Sequence, residues 1–111
     1  MGGGKSQLNV KMKQYRIVIT EIAEIDILIG KDWYNSQKKL LGDEFISELE
    51  NKFMVIQSNP YLFSIIKKDI RKALIKRFPF GIYYFVEGDV INIFAVIHFS
   101  RNPKIWKQRL K

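Results

Sequence analysis

The sequence predicts a single α+β domain of order β-α-α-β-β-β, with a helical hairpin packed on one face of a small, mainly antiparallel sheet. Three observations carry that expectation. A β-branched and aromatic run stands at residues 15–19, two segments between residues 20 and 58 repeat apolar residues every three or four positions, and three strand-like runs separated by turn residues fill positions 70–99. The chain has 111 residues, 47% of them hydrophobic, which suits one domain with one core.

The elements follow in order. Tyr15-Arg16-Ile17-Val18-Ile19 is the first expected strand. Thr20 is a natural N-cap, and Glu21, Glu24 and Asp26 put negative charge where a helix N-terminus favours it. Ile22, Ile25, Ile29 and Trp33 then recur at spacings of three and four, so a first helix is expected to run to about residue 39. Leu41-Gly42-Asp43 breaks and recaps the chain; a second helix carries Phe45, Leu49, Phe53 and Ile56 on one stripe and stops at Asn59-Pro60. So short a join makes the two helices an antiparallel hairpin. After a loop around Tyr61-Leu62-Phe63, strands are expected near residues 70–78, 82–87 and 90–99, with Phe80-Gly81 and Glu87-Gly88-Asp89 as turns of an antiparallel meander. Strict alternation along the last strand sends Ile91, Ile93, Ala95, Ile97 and Phe99 toward the helices, and Val90, Asn92, Phe94, Val96 and His98 to the other face. Pro103 permits a short terminal helix through Trp106 and Leu110. The sheet face away from the hairpin is expected to stay uncovered and basic. Residues 1–12, opening Met1-Gly2-Gly3-Gly4, read as a flexible N-terminal arm or cloning remnant, and residues 13–111 as the domain.

Composition narrows the chemistry. Without cysteine there is no disulfide, thiolate zinc site or cysteine nucleophile, and a single histidine argues against a histidine-rich metal site. No apolar run approaches the roughly 20 residues of a membrane helix and nothing resembles a secretory signal, so a soluble cytoplasmic protein with no membrane partner is expected. Residues 1–66 hold eight Lys/Arg and eight Asp/Glu, whereas residues 67–111 hold eleven and three, so the whole +8 excess lies in the second half. That asymmetry points to an anionic partner, a nucleic acid or an acidic protein segment, or else to a solvated basic surface.

The carboxylates fall on helix surfaces, where capping and solvation account for them, and no phosphate loop or metal motif is present. No metal or cofactor is expected. What remains is a set suited to metal-free phosphate chemistry: Lys72, Lys76, Arg77, His98 and Arg101. Cleaving RNA without a metal needs a base for the 2′-hydroxyl, an acid for the leaving oxygen and cations around the developing charge, roles that one histidine and several bases could fill. The plainer readings are a strand-end histidine bonded to backbone, a docking face for an acidic partner made of Arg71, Lys72, Lys76, Arg77 and Arg101, and Trp106 as a core anchor.

Several strings taken together, "NPY" at 59–61, "RFPFGIYYFVEGDVINIFAVIHFSRNP" at 77–103 and Trp106 beyond, resemble the RelE/ParE superfamily of toxins from type II toxin–antitoxin systems, including members known as plasmid stabilisation proteins. The resemblance spans about residues 13–110 and implies a RelE/ParE-like fold and a cognate antitoxin as partner. RelE-like members cleave mRNA on the ribosome, and Lys72 and Arg101 match basic positions of that site. Leu74 and Gly81 stand where a lysine and an arginine are usual, and Trp106 lies near a usual tyrosine. These departures, the long hairpin and the "HFSRNP" ending favour the ParE-like branch, growth inhibitors directed at DNA gyrase. The alternative is a metal-independent, ribosome-dependent endoribonuclease with His98, Arg101 and Lys72 as catalytic residues.

Overall fold

A computed structural model of the chain describes residues 14–110, so the expected N-terminal arm lies outside the described residues. Strand β1 (Arg16–Ile19) leads into helices α1 (Glu21–Gln37) and α2 (Leu41–Ser58). Strands β2 (Ile65–Lys67), β3 (Ile70–Leu74), β4 (Phe80–Glu87) and β5 (Val90–His98) follow, then the short helix α3 (Lys104–Gln108). The five strands form one sheet in the order β1-β5-β4-β3-β2. Every pairing is antiparallel except β1 with β5, because the whole hairpin and meander intervene between those two strands. The expected α+β architecture stands, with β2 as an added edge strand. Its three residues are all exposed and its register is irregular, so no alternation marked it in the sequence. Strand β3 stops four residues short of the expected end: at Arg77 the backbone takes the left-handed φ of 71° and turns the chain toward Phe78-Pro79.

Local chemistry builds the hairpin. The Thr20 hydroxyl accepts the Ala23 N–H at 3.2 Å, capping α1, and the Asn35 side-chain oxygen accepts the Gly42 N–H at 2.7 Å, which ties the start of α2 to the end of α1. A Cβ at Gly42 would lie 2.2 Å from the Lys31 carbonyl oxygen, so only glycine permits the helices to meet this closely. Against β4 and β5 the hairpin buries Phe45, Leu49 and Ile56, each contributing about 1.5–3 kcal/mol on complete burial. Tyr34, Phe45, Phe78 and Phe80 form an aromatic cluster with centroids 4.7–6.0 Å apart. The Tyr84 hydroxyl, wholly buried, donates to the Pro60 carbonyl at 2.7 Å and pins the chain as it leaves α2.

Two expectations about faces are overturned. In α1 the stripe of Ile22, Ile25, Ile29 and Trp33 does not enter the core: these side chains are 45–61% exposed, and the buried residues are Ala23, Gly30 and Tyr34. At Gly30 the inward side of α1 meets α2: a Cβ there would lie 2.9 Å from the Phe45 ring, so the helix turns Ala23, Gly30 and Tyr34 inward and leaves the isoleucine stripe outside. In β5, alternation fails at one residue. Tyr83 pairs with Ala95 and Tyr84 with Ile93, leaving Phe94 as a bulge. Ile91 and Ile93 face the hairpin as expected, but past the bulge Val96 joins that core, while Ala95 and Ile97 turn to the other side. That second face is also not bare. Trp106 of α3 stacks on Tyr83 with centroids 5.4 Å apart and covers Ala95 and Ile97, a second small core.

Candidate partner-binding groove

The bulge decides where the candidate residues stand. His98, expected on the face away from the helices, lies on the hairpin side with its ring edge-on to Phe80 at 5.4 Å. Its Nδ1 accepts the Ser100 N–H at 3.0 Å, so in the neutral ring the proton sits on Nε2. Arg101 follows at the same corner, its N–H donating to the His98 carbonyl at 3.0 Å. Lys72 is on the opposite face: its ammonium rests over the rings of Tyr83, at 5.6 Å, and Phe99, at 5.0 Å, across Gly81. The sheet therefore separates Lys72 from His98 and Arg101.

The expected basic surface is likewise divided among several duties. Arg71 donates to the carbonyls of Phe63 and Tyr61 at 2.6 and 3.2 Å and holds the 61–63 loop. Arg77 pairs with Glu44 at 2.5 Å on α2, and that hydrogen bond holds the Glu44 carboxyl below the usual carboxylate range. Lys76 is exposed in the turn after β3. Only Lys72 remains on the sheet surface, among apolar neighbours: Leu74 is 51% exposed, and Leu62, Ile66 and Leu74 share a shallow depression with it. Burial pushes the hydroxyls of Tyr83 and Tyr34 above the ordinary phenol range, and that of Tyr84 up to about 12.

His98 and Arg101 line a groove of about 580 Å³ between α1 and the end of β5. Ile29 and Trp33 form one wall, Pro79, Phe80 and Val96 the other, and Asp26 stands at its foot. Asp26 is no surface carboxylate. It receives both terminal nitrogens of Arg109, at 2.5 and 2.9 Å, and the Val96 N–H at 3.0 Å, while Arg109 also donates to the Phe94 carbonyl at 3.1 Å. The two side chains thus satisfy backbone groups of β5 that lie beyond the end of β1, and they tie α3 to α1 around the sheet. Arg101 has no carboxylate partner among the described residues. The groove is thus apolar along its walls and cationic at its mouth. Sequence reasoning read Asp26 as a surface charge at a helix N-terminus and passed over Arg109; an acid flanked by isoleucines in "IDILIG" was the available signal. Among the described residues, no cluster of His, Cys, Asp or Glu could hold a metal ion, and no helix is long and apolar enough to cross a membrane.

A long helical hairpin on a five-stranded sheet, with an apolar helix face exposed among the described residues beside a cationic corner, has the features of a surface suited to holding a protein segment. No protein-family model matches the chain, and no curated protein matches it. Solved structures do match: a chain from a structure described as the chromosomal ParDE TA system from P. aeruginosa superposes with a TM-score of 0.69 at 16% identity, covering 78% of this chain and 97% of that one. The fold is ParE-like, in agreement with the resemblance read over about residues 13–110.

Proposed function

We propose that the chain is the toxin of a type II toxin–antitoxin system, a cytoplasmic growth inhibitor that a cognate antitoxin neutralises by occupying the groove beside α1. The observation that carries this reading is the α1 stripe: Ile22, Ile25, Leu28, Ile29 and Trp33 lie exposed together on a ParE-like fold, an apolar surface of the kind that marks a protein interface. The net charge of +8 suits an acidic antitoxin.

When free, the toxin acts by binding DNA gyrase rather than by cutting RNA. Lys72 and His98 lie on opposite faces of the sheet, and Leu74 and Gly81 present no charge beside Lys72, which supports the binding reading. The endoribonuclease alternative, with His98, Arg101 and Lys72 as catalytic residues, is left with Lys72, whose ammonium has no carboxylate partner among the described residues, on one face of the sheet and His98 with Arg101 on the other.

Induction in a bacterial host, with plasmid supercoiling and primer extension on transcripts followed over minutes, tests the proposal. The expected result is growth arrest with a DNA-damage response and intact transcripts, relieved by co-expressing the cognate antitoxin. Cuts at codon boundaries would instead establish the endoribonuclease, and unimpaired growth would remove the toxin reading altogether.

A further inference from the structure

The sheet carries a second exposed apolar surface, on the face away from the hairpin. Leu74 follows Lys72 by two residues on β3, so both side chains point the same way, and Leu62 and Ile66 close a shallow depression around them. Gly81 lies beside Leu74 on β4. A Cβ there would stand 3.1 Å from the Lys72 Cε, so the glycine lets the lysine chain lie across the sheet with its ammonium 5.0 Å from the Phe99 ring. Leu62, Ile66, Leu74 and Phe99 are each 39–60% exposed. Apolar side chains gathered in this way mark a binding surface, whereas scattered ones do not.

The charge around this surface has one sign. Residues 59–86 hold six Lys/Arg and one acid, Asp69. Arg71 is committed to the 61–63 loop and Arg77 to Glu44. That leaves Lys67 and Lys68 at the end of β2, Lys72 in β3 and Lys76 in the turn beyond it, none with a carboxylate partner among the described residues. An apolar centre with a cationic rim is the anatomy of a protein contact; nucleic-acid interfaces are more polar and more basic throughout. A second copy meeting this face with its own would bring the same four lysines and be repelled.

We propose that this face of the sheet is a second docking surface, which takes an acidic segment of a partner protein. Apolar side chains of the segment cover Leu62, Ile66 and Leu74, and its carboxylates meet Lys72 and the lysines of the rim. The sheet stands between this surface and the groove beside α1, so the two serve different partners. The inference rests on the toxin reading only for who the partner is: the antitoxin holds the groove, and the segment here belongs to the protein that the toxin inhibits. The docking chemistry comes from the surface itself.

The test uses the purified protein and a displayed library of random peptides about 12 residues long, twice the length of a typical strand, with Leu74→Glu protein for counter-selection. Leu74 is half exposed, so this variant should melt like the parent; Lys72→Glu takes its place if it does not. The selected peptides are expected to combine acidic with aliphatic or aromatic residues. Lys72→Glu should weaken the best of them by about tenfold, and Trp33→Asp should leave it unchanged. In cells, Leu74→Glu is expected to lose growth arrest and still co-purify with the antitoxin. Basic or uncharged peptides, no selected peptide, loss of binding in Trp33→Asp, or self-association that Leu74→Glu abolishes would each overturn the proposal. Single-stranded RNA or duplex DNA displacing the peptide would overturn it as well. The two readings fail separately: acidic peptides held at Leu74 without growth arrest by the parent chain remove the toxin reading alone, and full arrest by a folded Leu74→Glu variant removes the docking surface alone.

Discussion

Arg109→Ala tests whether the clasp between Arg109 and Asp26 holds α3 and α1 on the sheet. The two side chains are 13% and 10% exposed, so the guanidinium is a partner and not a surface ornament. Its removal leaves the Asp26 carboxylate with the Val96 N–H alone and uncaps the Phe94 carbonyl. Breaking a buried ion pair by deleting one member costs about 3–5 kcal/mol. Residual water access at Asp26 puts the expected loss at the low end, about 3 kcal/mol, a fall in Tm of more than about 10 °C for a domain of this size. Urea unfolding followed by Trp106 fluorescence in a Trp33→Phe background, with circular dichroism alongside, measures both the docking of α3 and the global transition. Asp26→Asn, alone and combined with Arg109→Ala, closes a double-mutant cycle in which the coupling is expected to exceed about 1 kcal/mol. A loss below about 0.5 kcal/mol, or single effects that add to within that margin, would refute the reasoning.

Three further outcomes follow from the same geometry. The Tyr84 hydroxyl is raised to about 12 from the ordinary phenol value of 10.0, so the unfolded chain releases this proton first. Stability is then complete below pH 10 and declines as pH rises toward 12, by up to about 1.4 kcal/mol per pH unit; phenolate absorbance and alkaline melts should show this, and Tyr84→Phe should flatten it. Gly42→Ala drives a methyl into the Lys31 carbonyl and is expected to cost about 1–3 kcal/mol, read from thermal melts; an unchanged Tm would mean that the hairpin crossing is looser than described. The double variant His98→Ala, Arg101→Ala is expected to keep growth arrest under the gyrase reading; loss of arrest with a normal melting curve would return the choice to catalysis.

Much of the fold was legible because local chemistry carries it. The Thr20 cap, the break at Gly42 and the stop at Asn59-Pro60 are short-range signals, and α1 and α2 lie within about two residues of where those signals put them. The stripe of Phe45, Leu49 and Ile56 also points inward as its spacing implies. In α1 the same kind of stripe points outward. Periodicity reports that a helix has an apolar face, but not whether that face meets this chain or another, and here the close approach of Gly30 to Phe45 decides. The candidate residues were least legible, since Lys72 and His98 differ in face through one bulged position that no composition rule marks.

By itself, then, the sequence determined the kind and order of every element but the edge strand β2, the hairpin and the basic second half, all of which follow from neighbours along the chain. Tertiary structure alone decided that β1 lies beside β5, that Asp26 is claimed by Arg109 eighty-three residues away, and that His98 looks into a groove and not across the sheet at Lys72. The physical reason lies in pleating. Side chains alternate with a period of two, so the one unpaired residue at Phe94 inverts every face after it, and the cost or benefit of that inversion is settled only by what packs against it.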